Sequence, residues 1–224
     1  MIADHISISA EHAASLFKTG PGDYAAHDRF IGVTVPNLRK IAKQLKELSL
    51  DKLQNLIASC VNEERLLALI ILVDQYQQSD PSQKQKYYQF YLNNLSHINN
   101  WNLVDASAHL IVGAYLFDKD RHFLEELAQS DNLWERRIAM VSTWYFIRQN
   151  DTAWTFNIAL MLLNDKNDLI HKAVGWMLRE AGKRNEKALI AFLADNASNM
   201  PRTMLRYAIE KFPLSTRKAY LAHY

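Results

Sequence analysis

Two tryptophans, an aspartate and an arginine are the residues whose types and spacing could combine into a reactive site. Trp101 and Asp105 are four residues apart, so a helix would present an indole and a carboxylate on one face. Arg137 follows Trp101, and Trp176 follows Arg137, at two nearly equal intervals. A fixed carboxylate stabilises positive charge that develops during a reaction, and indole faces attract cations. These residue types therefore fit chemistry on a group that becomes cationic.

The sequence leaves a simpler interpretation open for each of these residues. Trp101 and Trp176 could pack in the core, where tryptophan is often largely buried. Asp105 could be an ordinary surface carboxylate or an ion-pair partner of Arg137. Arg137, taken alone, could be a solvent-exposed charge. Only their joint spacing favours a site, because each interval is close to the length of one predicted helix pair.

Hydrophobic periodicity predicts the elements that would position these residues. The apolar spacing is helical along most of the chain, and Gly and Pro occur at only a few breaks. First helices are predicted to begin near Val35, Asn62, Asn100, Leu133, Asp168 and Pro201. Second helices are predicted to begin near Asp51, Pro81, Asp120, Asp151, Glu186 and Ser215.

The first helices recur at intervals that range from about 27 to about 38 residues, a rhythm typical of an all-α solenoid of stacked antiparallel helix pairs. We predict this fold as one domain over residues 1–224, and an irregular helical bundle is the alternative. Helices packed about 8 to 10 Å apart would place the four residues along a strip on the order of 20 Å. A curved stack has a concave inner face, which we expect to bind DNA because the width of a duplex is comparable with the length of this strip.

A faint internal echo accompanies the rhythm. Residues 64–67, Glu-Arg-Leu-Leu, resemble residues 136–139, Arg-Arg-Ile-Ala, and each polar start leads into an apolar run. The echo supports the rhythm only faintly, because residue identity alone does not establish a repeat.

Charge is distributed unevenly along the chain. The 224 residues carry a net charge of +2, but residues 165–224 contain eleven Lys or Arg against six Asp or Glu. A basic C-terminal quarter is compatible with a polyanionic partner along one face. Solvated helix surfaces carry similar excesses, so charge alone leaves both interpretations open.

Several other classes of function have no signal in the sequence. Cys60 is the single cysteine, so no intramolecular disulfide can form, and the apolar residues around it predict that it is buried. The sequence has no metal-binding or nucleotide-binding motif, so we expect no metal and no cofactor. No apolar run reaches the length of a membrane span, which predicts a soluble cytoplasmic protein with no membrane partner. Trp144 and Trp154 are assigned to the core.

Four segments resemble the AlkD-type DNA alkylation repair glycosylases, a family of HEAT-like helical repeats. Phe30–Lys43 is similar to the family pattern F-x-G-V-x-V-P-x-L-R-x-x-A-K, and Lys172–Glu180 is similar to its K-A-x-G-W-x-L-R-E helix. Asn100–Asp105 resembles its N-W-x-x-V-D site helix, and Leu133–Arg137 resembles its L-W-x-R-R element. Tyr24–Asp28 departs from the glycine-richer loop expected there, which affects only the local geometry of that loop.

The resemblance implies hydrolysis of the N-glycosidic bond of cationic alkylated purines, N3-methyladenine and N7-methylguanine, in double-stranded DNA. It implies a monomer in the bacterial cytosol that contributes to base excision repair without a base-shaped pocket. The implied catalytic residues are Asp105, Trp101, Trp176 and Arg137. Weaker candidates for DNA binding are Arg136, Lys172 and Arg179. The alternatives are a catalytically silent duplex-binding protein of the same fold and, third, a protein-binding scaffold.

Overall fold

The computed structural model describes residues 2–222, and these divide between Ser107 and Ala108 into two compact units. Within residues 2–222 there is no β-strand, only an isolated bridge between Arg29 and Val61. The predicted all-α fold of stacked helix pairs is confirmed. The concave face and the single domain stay predictions.

The first unit begins with a short 3-10 turn and contains six helices in the described residues. The turn is Ala3–His5, and the helices are α1 (Ala10–Ala14), α2 (Val35–Gln44), α3 (Leu50–Ile57), α4 (Asn62–Gln78), α5 (Pro81–Asn93) and α6 (Trp101–Ala108). A second 3-10 turn, Leu95–His97, precedes α6, whose last residue belongs to the second unit. Helix α4 is central, because α2, α3 and α5 all pack against it.

The second unit opens with a π-helical turn, His109–Gly113, and a short helix α7 (Ala114–Leu116). The following helices are α8 (His122–Ala128), α9 (Leu133–Arg148), α10 (Ala153–Met161), α11 (Asp168–Gly182), α12 (Glu186–Asn196), α13 (Arg202–Ala208) and α14 (Leu214–Ala222), with a 3-10 turn at Ala197–Asn199. Helices α9 and α11 lie at its centre: α8 and α10 pack on α9, and α10, α12 and α13 pack on α11.

The predicted helix starts are confirmed to within two residues. Side-chain caps explain several of them. Asp80 directly precedes α5, which begins at Pro81, and its side chain accepts a hydrogen bond from the Gln83 amide. Asn132 and Asn167 cap α9 and α11 in the same way. Caps satisfy backbone N–H groups that a helix start leaves without partners, so these polar residues fix where each helix begins.

Gly175 lets α11 and α13 approach each other closely. A Cβ atom at this position would lie 2.4 Å from the carbonyl oxygen of Met204 and 2.5 Å from the Cβ of Tyr207. Any larger residue would push the two helices apart. Because Gly175 directly precedes Trp176, this contact fixes the helix that carries one of the predicted site residues.

Two predictions about single residues are wrong. Cys60 is exposed, because it lies in the connection between α3 and α4, where its carbonyl oxygen accepts a hydrogen bond from the Arg29 amide. The apolar Ile57 and Leu66 are buried instead. Trp144 and Trp154 are only half-buried rather than core residues. Among residues 2–222, every helix is too short or too polar to cross a lipid bilayer.

Candidate functional site

The first unit places Trp101 and Asp105 on one face of α6. Asn100 starts this helix: its Oδ1 accepts a hydrogen bond of 2.7 Å from the Trp101 amide. Leu103 and Val104 are fully buried on the other side of the helix, whereas Trp101 and Asp105 are both half-exposed. In this unit the indole and the carboxylate therefore both reach solvent, one helical turn apart on α6.

Trp101 is the end of a stack of three aromatic rings, which we call the first aromatic row. The ring of Phe17 lies between those of Phe30 and Trp101, with centroid distances of 4.6 Å and 5.0 Å and interplanar angles of 24° and 23°. Stacked aromatic pairs add about 0.5–1.5 kcal/mol beyond the area that they bury. Sequence reasoning missed this row, because Phe17 and Phe30 lie in irregular segments without helical spacing to α6.

A buried tyrosine lies beneath α6. Tyr91 is fully buried, and its hydroxyl lies 3.1 Å from the Oγ of Ser107, which donates to the carbonyl oxygen of Leu103. Burial raises the pKa of the Tyr91 phenol well above its usual range, and the nearby carboxylate of Asp105 raises it further. The phenol therefore stays neutral and adds no second negative charge next to Asp105.

A buried carboxylate supports the start of α6. The side chain of Asp28 is fully buried, and it accepts hydrogen bonds from Asn62 at 3.0 Å, from Asn100 at 2.6 Å and from the guanidinium of Arg65. The Nε2 of His27 lies 3.2 Å away. Asp28 thus joins the loop before α2, the first turn of α4 and the residue that starts α6. It belongs to the Tyr24–Asp28 stretch that departs from the expected loop pattern.

In the second unit, Arg137 lies in the interior rather than on the surface. It is 5% exposed, and its Nη1 donates a hydrogen bond of 2.5 Å to the carbonyl oxygen of Leu169 on α11. The interpretation of Arg137 as an ordinary solvent-exposed charge is therefore wrong. Buried guanidinium groups are held by several partners, and Arg137 ties α9 to the helix that carries Trp176.

Trp176 ends a second aromatic row, formed by His109, Trp144 and Trp176. The ring of Trp144 lies 4.5 Å from that of His109 and meets the ring of Trp176 edge-on at 4.9 Å. The guanidinium of Arg148 lies 4.8 Å over Trp144. Trp176 is half-buried, so the two predicted site tryptophans are alike: each is partly exposed and supported by another ring.

The three predicted DNA-binding cations already have partners in the second unit. The Nε of Arg136 donates to Asp165 at 2.7 Å, and its Nη1 donates to the carbonyl oxygens of Ser130 and Asp131. Lys172 pairs with Asp168 at 2.7 Å. Arg179 pairs with Glu180 and Glu210. The pairing lowers the pKa of Asp168, chiefly through the hydrogen bond from Lys172, and that of Glu210, chiefly through the charge of Arg179.

One local motif occurs in both units. In the first, Ser59 donates to Glu64 at 2.5 Å, and Arg65 donates to the carbonyl oxygen of Ser59 at 2.9 Å. In the second, Ser130 donates to Glu135 at 2.6 Å, and Arg136 donates to the carbonyl oxygen of Ser130 at 2.9 Å. Arg65 therefore corresponds to Arg136, and the echo aligned from sequence is wrong by one residue.

The fold and these residues define an all-helical repeat protein with a partly exposed carboxylate beside an indole. The sequence pattern of the DNA alkylation repair enzymes matches residues 6–212, and the chain belongs to that family. A solved structure described as a predicted DNA alkylation repair enzyme from Enterococcus faecalis is similar to it, with a TM-score of 0.69 and 16% identity over 92% of this chain and 95% of the other. At that identity the likeness supports the fold alone. No curated protein sequence matches this chain significantly.

Proposed function

We propose that this protein is a DNA glycosylase that hydrolyses the N-glycosidic bond of cationic alkylated purines, N3-methyladenine and N7-methylguanine, in duplex DNA. The observation that carries the proposal is the exposed face of α6, where Asp105 is partly exposed one helical turn after Trp101. Membership of the DNA alkylation repair family supports DNA as the partner. We expect a monomer acting on cytosolic DNA.

The reaction needs little acid catalysis. Alkylation at N3 or N7 makes the purine cationic, so the base is already an activated leaving group. As the glycosidic bond lengthens, positive charge develops on the sugar at C1′. A carboxylate held next to that carbon stabilises the charge and orients the attacking water. Asp105 has this role in our proposal.

Each tryptophan would pack on deoxyribose. Their faces attract a cationic nucleotide, and each contact contributes up to about 2 kcal/mol when water is excluded. Trp101 is held for this role by the ring of Phe17, and Trp176 by the ring of Trp144. Arg137 would bind phosphate, for which its buried guanidinium would have to turn away from the Leu169 carbonyl oxygen. Arg136, Lys172 and Arg179 are weaker candidates that would first have to share or release their acidic partners.

Contacts with sugar and backbone, rather than a base-shaped pocket, would select lesions by the lability of their glycosidic bond. Cationic lesions would then be released even when the N7 substituent is bulky. Neutral damage such as uracil would be released poorly, because its base is a weak leaving group. Appreciable excision of uracil would contradict this proposal.

The decisive experiment measures release of 7-methylguanine from randomly methylated duplex DNA. We expect the Asp105→Asn variant to be about 100- to 1000-fold slower in single turnover than the unmodified protein. Asp195→Asn is the matched control, because Asp195 is an exposed aspartate on α12. Equal release by Asp105→Asn and the control would remove Asp105 from its role. Salt-dependent duplex binding without release would favour the silent DNA-binding protein instead.

A further inference from the structure

The proposed chemistry depends on the direction in which α6 starts, and that direction is set by a residue outside the helix. Asn100 is fully buried, and its carbonyl oxygen accepts from the amides of Leu103 and Val104. Its side chain donates through Nδ2 to Asp28 and accepts through Oδ1 from the amide of Trp101. Asn100 thus connects the buried carboxylate to the first amide of the site helix.

The carboxylate decides how the Asn100 side chain is oriented. A carboxylate only accepts hydrogen bonds, so Asp28 attracts the NH₂ group of Asn100. The amide oxygen of Asn100 is then left to face the N–H of Trp101. An amide at position 28 could present its own NH₂ group and would no longer enforce this orientation. The acceptor at position 28 is therefore what fixes the cap of α6.

The same loop also supports the indole of Trp101 from the side. Phe30, two residues after Asp28, belongs to the first aromatic row. The amides of Ile31 and Gly32 donate to the buried carboxylate of Glu63 on α4, at 3.0 and 2.9 Å. Gly32 has a φ of 87°, and a Cβ there would lie 2.0 Å from the carbonyl oxygen of Ile8. The loop is thus fixed on both sides of Phe30.

A small displacement at the start of α6 also displaces the side chains proposed to take part in the reaction. Asp105 lies one helical turn after Trp101, so a change in the tilt of the first turn moves the carboxylate and the indole together. A displacement of about 1 Å can slow an enzymatic reaction about 100-fold. Asn62 and Asn102 exchange hydrogen bonds of 2.7 and 3.4 Å between α4 and α6, and Asn62 also donates to Asp28. The acceptor of the Trp101 amide, however, is the Oδ1 of Asn100.

We infer that Asp28 is a positioning residue for the reaction: through Asn100 it orients the first turn of α6 and thereby Trp101 and Asp105. This inference rests on the proposed glycosylase function. Asp28 touches neither substrate nor the reacting atoms in this assignment. Its effect belongs to the rate of bond cleavage rather than to affinity for DNA.

The test uses single-turnover release of 7-methylguanine by the full chain, together with the Kd for unmodified duplex. We expect Asp28→Asn to lower the release rate about 10- to 100-fold, while the Kd stays within about two-fold. Asp151→Asn is the matched control, because Asp151 accepts from Arg121 in a partly buried ion pair of the second unit at 2.6 Å. It should lower the melting temperature but leave the release rate within about two-fold.

Two further variants cover the case in which Asp28→Asn does not fold. Asn100→Ala leaves the Asp28–Arg65 pair intact and removes only the link to α6, and we expect it to lower the rate about 10-fold. The double variant Asp28→Asn/Asn100→Asp reverses the donor and acceptor, so the amide at position 28 can donate to a carboxylate that still accepts from the Trp101 amide. We expect it to be about 10-fold faster than Asp28→Asn alone.

Hydrogen exchange at the Trp101 amide separates the failure of this inference from the failure of the proposed function. Asp28→Asn should make this amide exchange faster, and the double variant should restore its protection. A release rate for Asn100→Ala equal to that of the unmodified protein, or unchanged exchange in Asp28→Asn, would overturn the positioning role. If the unmodified protein releases no 7-methylguanine, the proposed glycosylase function is wrong. The hydrogen-exchange data then decide by themselves whether Asp28 orders the start of α6.

Discussion

The two units share an aspartate–arginine pair at the base of a site helix, but they bury it to different extents. In the first unit, the side chains of Arg65 and Asp28 are 2% and 0% exposed. In the second, Arg136 and Asp165 are 19% and 6% exposed. Asp165 also accepts from the amide of Asn167, the cap of α11, at 2.8 Å. Each aspartate therefore acts on the start of the helix that carries a predicted site tryptophan.

The difference in burial indicates where the molecule is least tolerant of change. A buried ion pair is no guarantee of net stability, because desolvating two charges offsets much of their attraction. Removing one partner is nevertheless costly, since the other charge remains in a dry interior. The pair in the second unit can recruit water when it is broken. The first unit should therefore depend more strongly on its pair.

The largest expected effect is on the free energy of unfolding, and it is tested by comparing Arg65→Met with Arg136→Met. Arg65→Met leaves the Asp28 carboxylate buried without its charge partner, and we expect a loss of about 3–5 kcal/mol in the free energy of unfolding. Arg136→Met removes a side chain that is 19% exposed, so water can enter the space next to Asp165, and we expect a loss of about 1–3 kcal/mol. Urea unfolding measures both. Equal losses would mean that burial is not what distinguishes the pairs.

A second comparison concerns the two aromatic rows. Phe17→Leu keeps an apolar side chain but removes the ring between Phe30 and Trp101, and Trp144→Leu removes the ring between His109 and Trp176. Two aromatic contacts are lost in each case, and we expect each variant to lose about 1–3 kcal/mol of the free energy of unfolding. A loss confined to one variant would show that only that row acts as a support.

A smaller effect is expected from Tyr91→Phe in the first unit. The substitution removes a buried hydroxyl that bonds to Ser107, while Ser107 keeps its bond to the Leu103 carbonyl oxygen. We expect a loss of about 0.5–1.5 kcal/mol, with the glycosylase rate unchanged, because the phenol stays neutral. A pH-dependent change in rate on this substitution would instead give the phenol a direct part in the reaction.

The smallest expected effect on the free energy of unfolding comes from breaking the ion pair of Lys172 and Asp168. This pair is exposed on the surface, whereas the pair of Asp28 and Arg65 is buried. The pKa of Asp168 is lowered below its usual 3.8, so its contribution to stability is present above that pH and is lost as the pH falls through the folded pKa. Lys172→Ala should lower the free energy of unfolding by about 0.2–1 kcal/mol at neutral pH. It should have no effect at pH values below the pKa of Asp168 in the folded protein. Urea unfolding at both pH values measures this. A cost that persists in acid would assign Lys172 a packing role.

Much of the helical framework could be predicted from the sequence. Apolar spacing and capping residues act within a few positions of one another, so starts such as Val35, Asn62 and Leu133 could be located from local pattern alone. The family resemblance rested on strings such as Lys172–Glu180 and is confirmed. The pairing of Trp101 with Asp105 on one face also follows from helix geometry.

The supports of the site could not be predicted in this way. Phe17 and Asp28 are separated from the residues that they contact, Trp101 and Asn100, by the whole of helices α2 to α5. They lie in loops where no period links them to α6. Cys60 was expected to be buried because its sequence neighbours are apolar, but the direction of a side chain in a connection depends on the loop that packs beside it. The sequence also leaves Arg137 open to interpretation as a solvent-exposed charge, because no local pattern shows which helix covers it.

The sequence by itself determined the helical class, the helix starts and the residue types that could do chemistry, because these depend on interactions within one or two helical turns. Only the tertiary structure decided which rings support Trp101 and Trp176, which carboxylate is buried beneath the start of α6, and which cations already have partners. Those contacts join segments far apart in the chain, and their energies depend on burial, which arises only when the helices pack.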